Sequence, residues 1–215
     1  MKMENAIQET ARYIQQQFEH DASGHDWWHI YRVWQLSKMI SEYEGGDLFI
    51  IEMAALLHDL DDWKLSAENG TKASDWMNKI GIDYDTSDQI QTIIGEVSFK
   101  GAGVEADPNS LEAKIIQDAD RLDAMGAIGI ARTFAFGGHK NRLIYDPTIK
   151  PEVHRSFSDY KKSAAPTINH FYEKLLLLKD RINTDTGRKL ALQRHQFMEQ
   201  YLEHFFSEWN QEIKL

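Results

Sequence analysis

The chain of 215 residues contains no cysteine. Disulfides, thiolate metal sites and a cysteine nucleophile are therefore excluded, and the absence fits a reducing compartment. Proline is scarce. Of the four prolines, Pro147, Pro151 and Pro166 fall within one stretch, so most of the chain is free of this helix breaker. A basic excess is also missing: 24 Lys and Arg stand against 34 Asp and Glu, a net charge of −10. Polymeric nucleic acid, which needs a basic footprint, is a poor partner for such a chain. A small phosphorylated ligand is not excluded, because a bound cation can invert the local field. No apolar run reaches the length of a membrane span, and the stretch 50–57 is interrupted by Glu52. The opening MKMENAIQET lacks the basic-then-apolar pattern of a signal peptide. The expectation is a cytoplasmic protein with no membrane partner.

What is present is helical periodicity. Ile7, Ala11, Ile14 and Phe18 share one face over residues 3–19, and Ile30, Val33, Trp34 and Ile40 repeat the pattern over 26–43. Gly45-Gly46 stops that helix. Asp47 can cap the next one, which carries Met53-Ala54-Ala55-Leu56-Leu57 into His58. Helices are predicted over 70–80, 86–96, 109–123 and 124–135, the last two able to run on as one. A Gly-rich break lies at 100–103. Periodicity then lapses from 137 to 166. This segment holds Lys140, Arg142, Lys150, Arg155, Lys161 and Lys162 against Asp146, Glu152 and Asp159, so it is basic within an acidic chain. Structureless stretches of this length are usually functional loops or disordered, and this one is a candidate lid. Two more helices are predicted, over 167–182 and 186–212, joined as a hairpin through Thr184-Asp185-Thr186-Gly187. The expected fold is a single all-α domain over 1–215: a helical bundle with a C-terminal helical hairpin extension.

Three patches carry polar chemistry where apolar residues are expected. His58-Asp59 follows a fully apolar helical run, and burying that pair is costly unless something satisfies both side chains. His25 and His29 flank an aromatic helix start, Asp26-Trp27-Trp28. Asp118, Asp120 and Asp123 lie between Ile115-Ile116 and Ala124-Met125, so at least one carboxylate must point inward. Imidazole and carboxylate donors in three separate segments point to a bound cation. Which histidine and which aspartate serve is left open by the spacing.

The order His … His-Asp … Asp across a helical chain resembles the HD superfamily of metal-dependent phosphohydrolases. His29-Ile30-Tyr31-Arg32-Val33 matches the His-x-x-x-Val form around that family's first ligand. His58-Asp59 matches the paired ligands, and Ala119-Asp120-Arg121-Leu122 matches the last. The resemblance covers about residues 20–135 and implies His29, His58, Asp59 and Asp120 as the metal ligands. Phe171-Tyr172-Glu173-Lys174-Leu175-Leu176, the turn 183–188 and Arg194-His195 resemble one bacterial branch, the YpgQ-like proteins, which extends the likeness over nearly the whole chain. That branch implies nucleotide pyrophosphohydrolase activity, the cleavage of nucleoside triphosphates to monophosphate and pyrophosphate. A 5′-nucleotidase or a phosphodiesterase could use the same site. A non-catalytic nucleotide- or metal-binding module is the alternative of another class.

No histidine lies between Asp59 and Asp120. Two-metal forms of the site recruit histidines in that interval, so one metal is expected. Two imidazole nitrogens and two carboxylate oxygens suit a divalent transition metal, Mn²⁺ first, with Fe²⁺, Co²⁺ or Ni²⁺ compatible. Mg²⁺ is less natural with two histidine ligands. Asp62, four residues after His58, is the candidate to orient or deprotonate the attacking water, with Asp61 competing for that role. Lys64, Lys100, Arg121 and Lys174 are candidates for holding substrate phosphate, and His25, one turn before His29, for a substrate hydrogen bond. The expected partner is a small nucleotide, and a homodimer is compatible with the sequence.

Overall fold

The computed structural model of the protein describes residues 2–19, 26–61, 71–97, 108–152 and 165–212. No strand occurs among the described residues, and the all-α architecture is as expected. Helix α3 (Leu48–Leu57) explains the arrangement of the rest. It is apolar on nearly every side, and Met53 through Leu57 are fully buried. A helix with almost no polar face has to be wrapped by others. Helices α1 (Lys2–Gln17), α2 (Trp27–Glu44), α5 (Tyr84–Val97) and α6 (Leu111–Asp123) wrap it. The expected cap holds, since Asp47 accepts from the backbone N–H groups of Phe49 (2.9 Å) and Ile50 (3.2 Å). The one acid inside the run, Glu52, accepts from Trp34 Nε1 at 2.7 Å, which ties α2 to α3.

Helix α4 (Lys72–Lys79) packs beside α5 and is clamped to α1. Tyr13 stacks on Trp76 with ring centroids 3.9 Å apart, and Trp76 Nε1 donates to Thr10 Oγ1 at 2.9 Å. Helices α6 and α7 (Gly126–His139) are separate rather than continuous. The break falls at Ala124-Met125, and Gly126, which opens α7, has a φ of 69°, a conformation that side chains disfavour. A Cβ there would also meet the Arg194 side chain at 3.1 Å.

The segment predicted to lack periodicity divides in three. Its first residues, 137–139, belong to α7. Residues 140–152 fold back on the C-terminal part: Thr167 N donates to Leu143 O (2.8 Å), Ile168 N to Ile144 O (3.0 Å), and Asn169 Nδ2 to Ile149 O (3.0 Å). Residues 153–164 lie outside the described residues.

One expected helix is corrected. Residues 167–182 form a short helix α8 (Asn169–Glu173) and a 3₁₀ segment (Leu175–Arg181), divided at Lys174 by φ −144°, ψ −58°. Leu175 and Leu178 are the leucines buried in that segment. Their spacing of three fits the three-residue turn of a 3₁₀ helix, on which i and i+3 eclipse. Helix α9 (Asp185–Trp209) then runs back along α6 and α7. Among the described residues, no helix is long and apolar enough to cross a membrane.

Candidate metal centre

The polar residues meet where three elements converge. His29 comes from the first turn of α2, which Asp26 caps by accepting from His29 N at 2.8 Å. His58 and Asp59 follow the end of α3, and Asp120 stands in α6. His29, His58 and Asp120 each bring one donor atom to a cluster whose members all lie within 4.8 Å of one another. Asp59 reaches both imidazoles: Oδ1 lies 3.4 Å from His58 Nε2, and Oδ2 lies 3.4 Å from His29 Nε2. Asp120 Oδ1 lies 3.5 Å from His29 Nε2.

The tautomers follow from what the other ring nitrogens touch. His58 Nδ1 lies 2.8 Å from Ala55 O. A carbonyl only accepts, so Nδ1 carries the hydrogen and the Nε2 lone pair faces the cluster. That Nε2 is buried and takes no hydrogen bond among the described residues. Leaving it so costs about 1–3 kcal/mol, which a cation at this point would offset. His29 Nδ1 lies 2.8 Å from Asp123 Oδ2, so its Nε2 also faces inward. Burial is the strongest influence on His29 and works against its charge. Hydrogen bonds to Asp123 and Asp59, with the charge of Asp59, outweigh it and lift the imidazole pKa to about 9. The hole is thus rich enough in negative charge to hold a proton, and a divalent cation would satisfy the same donors. The Nε2 atoms of His29 and His58 with a carboxylate oxygen of Asp120, and Asp59 beside both imidazoles, are donors that fit such an ion.

The HD domain family matches residues 27–125. The YpgQ protein of Bacillus subtilis (strain 168) is 40% identical over 206 residues, which cover 94% of this chain and 93% of that protein. The chain belongs to the HD family. Among solved structures, an HD-superfamily hydrolase from Bacillus thuringiensis is 47% identical with a TM-score of 0.77, covering 98% of this chain and 99% of that one. Bacillus subtilis YpgQ in complex with ADP is 37% identical with a TM-score of 0.77, covering 94% and 97%. The YpgQ-like branch of the HD family is therefore the right one, and the four convergent residues occupy its HD region.

The three aspartates of α6 in this HD protein face different ways. Asp118 is fully buried and serves the fold. Its oxygens accept from Asn183 N (2.8 Å), Asn183 Nδ2 (2.8 Å), Thr184 N (2.7 Å) and Thr184 Oγ1 (2.8 Å), which anchors the start of α9. Asp120, its side chain 39% exposed, faces the cluster. Asp123 is buried behind His29 and also takes Arg32 Nε (2.6 Å), Arg32 Nη2 (3.1 Å) and Arg132 Nη1 (2.6 Å). Burial works to raise its pKa, but bonds from His29 and Arg32 hold the carboxyl well below its usual range. Arg32 and Arg132 carry no role in the sequence reading, and Asp123 enters it only as one of three aspartates among which the spacing does not choose. The available signal was spacing: Arg32 lies three residues after His29 and Asp123 three after Asp120, each one helical turn on.

The remaining candidates are dispersed. Asp61 accepts from the backbone N–H groups of Lys72 (3.0 Å) and Ala73 (3.1 Å), so it caps α4 in place of Thr71, which makes no side-chain cap. Arg121 donates to Arg181 O, toward the 3₁₀ segment. Lys174 sits at the junction after α8, within electrostatic reach of His170. His25, Asp62, Lys64 and Lys100 lie outside the described residues. Helix α3 ends at Leu57, so the spacing from His58 to Asp62 begins in a turn instead of continuing the α-helix.

Proposed function

We propose that this HD-family hydrolase uses one divalent transition metal, Mn²⁺ first, to cleave nucleoside triphosphates to monophosphate and pyrophosphate. The observation that carries the hydrolytic reading is the convergence of His29, His58 and Asp120, with Asp59 against both imidazoles. The YpgQ relative solved with ADP supports a nucleotide as substrate. When bound, a divalent ion polarises a phosphoryl oxygen and lowers the pKa of water.

The chain's own residues do the rest. His29, His58, Asp59 and Asp120 hold the ion. Asp62 accepts a proton from the attacking water, since Asp61 is occupied as the α4 cap. The new bond joins the water oxygen to the α-phosphorus, the bridge to the β-phosphate breaks, and pyrophosphate leaves. Lys64, Lys100 and the basic segment 137–166 offset phosphate charge in a protein whose net charge is −10. The test is a release assay over a nucleotide panel with Mn²⁺ that resolves pyrophosphate from orthophosphate. Pyrophosphate is expected from triphosphates. Orthophosphate from monophosphates would replace this reading with a 5′-nucleotidase, and no turnover of any nucleotide would leave a binding module.

A further inference from the structure

Asp123 stands apart from the converging residues, yet it makes four side-chain hydrogen bonds beside them. It is 3% exposed and receives three side chains from two helices: His29 and Arg32 from α2, and Arg132 from α7. One of its oxygens, Oδ2, is shared by His29 Nδ1 (2.8 Å), Arg32 Nη2 (3.1 Å) and Arg132 Nη1 (2.6 Å). The other, Oδ1, takes Arg32 Nε at 2.6 Å. Arg32 thus bonds both oxygens and Arg132 bonds Oδ2, and together they hold the carboxylate in this orientation. In that orientation Oδ2 faces the His29 ring edge opposite Nε2, the edge that looks toward Asp59 and Asp120.

We infer that Asp123 is a positioning residue that fixes the ring orientation and tautomer of His29, with Arg32 and Arg132 clamping it in place. The inference rests on the metal reading of the site. A hydrogen bond from the distal ring nitrogen keeps the proton on Nδ1 and the lone pair on Nε2, and it makes that lone pair more basic. His58 achieves the same through Ala55 O, a neutral acceptor at the end of α3. The two imidazoles are therefore held by unequal partners, and His29 has the anionic one. Asp118 provides an internal contrast. It is equally buried in the same helix and equally hydrogen-bonded, but it faces the α9 start and not a candidate ligand.

The experiment uses Co²⁺ alone as the probe, on full-length chain stripped with chelator. Affinity is read by chelator competition, the ligand field by visible absorption, and folding by far-UV dichroism and thermal melting of the metal-free form. Asp123→Ala is expected to weaken Co²⁺ binding about 10- to 100-fold and to shift the absorption bands. Asp123→Asn, which keeps an acceptor oxygen without the charge, should fall between it and the wild type. Asp118→Ala should melt lower and bind Co²⁺ within about twofold of the wild type per folded molecule, because removing an outer partner matters only where a ligand is behind it. Should the Asp123 variants fail to fold, ¹⁵N-histidine spectra of the Zn²⁺-loaded wild type carry the test, with the His29 proton expected on Nδ1. Wild-type affinity in Asp123→Ala, equal losses in Asp118→Ala, or a His29 proton on Nε2 would each overturn the inference while leaving the metal site standing. A wild type that binds neither Co²⁺ nor Zn²⁺ would instead overturn the metal reading itself.

Discussion

Asp59 and Asp61 are two residues apart and do unrelated work. Asp59 lies against both imidazoles, whereas Asp61 is spent on the N-terminus of α4. Removing Asp59 takes an anion from between His29 and His58, so Asp59→Ala should lose metal and activity together, as read by metal content after gel filtration. An Asp59→Ala chain that still binds one metal ion per molecule would show that the ligand set has been drawn wrongly. Removing Asp61 takes away a cap worth about 0.5–2 kcal/mol. For a domain of this size, Asp61→Ala should melt about 1–8 °C lower with its metal retained. Asp62→Asn is expected to keep both the metal and the melting temperature while losing rate, about 100-fold or more for a missing general base. A full-rate Asp62→Asn would end the proposed role.

Elements that carry their own periodicity could be read from the sequence, and elements shaped by long-range partners could not. Helix α3 announced itself through an unbroken apolar run and a capping Asp47, and it lies at the centre of the bundle. The 3₁₀ segment did not, because Lys174-Leu175-Leu176-Leu177-Leu178 has helical composition and only its packing selects the tighter turn. The candidate ligand positions could be named because each matches a local pattern of the HD family. Asp118 and Asp123 were not assigned, because their partners lie at positions 183–184 in one case and at 29, 32 and 132 in the other. At the α6–α7 break the local signal is a single glycine. Gly126→Ala would force a side chain into φ 69° and toward Arg194. The left-handed conformation alone costs about 1–2 kcal/mol, so the variant should melt several degrees lower. The Arg194 Nη1 bond to Leu122 O, 2.5 Å, lies beside the same joint. An unchanged melting temperature would mean that the joint rearranges at no cost.

Over the whole molecule, the candidate centre joins α2, the turn after α3 and α6, segments separated by some thirty and sixty residues of chain. A ligand that binds only the folded form stabilises it by about 2.7 kcal/mol at a hundredfold excess over its dissociation constant. Chelation should therefore lower the melting temperature, and the helical signal should survive because the core beneath α3 is apolar and complete without the ion. Loss of helix on chelation would instead mark the metal as a structural one. Helix α8 gives a pH effect of its own. His170 of α8 is held down to a pKa of about 3, by burial first and then by the charges of Lys174 and Arg142. In the unfolded chain it titrates near its ordinary value of 6.5. Between those two values the unfolded state binds the extra proton, so His170 contributes stability that is complete above about pH 6.5 and is lost as pH falls toward 3. His170→Gln removes that proton uptake. Thermal melts from pH 7 to pH 4 should show the wild type losing stability more steeply than His170→Gln. The two slopes should differ most below about pH 6.5 and least above it. Parallel curves would mean that the imidazole takes up its proton in the folded chain as readily as in the unfolded one.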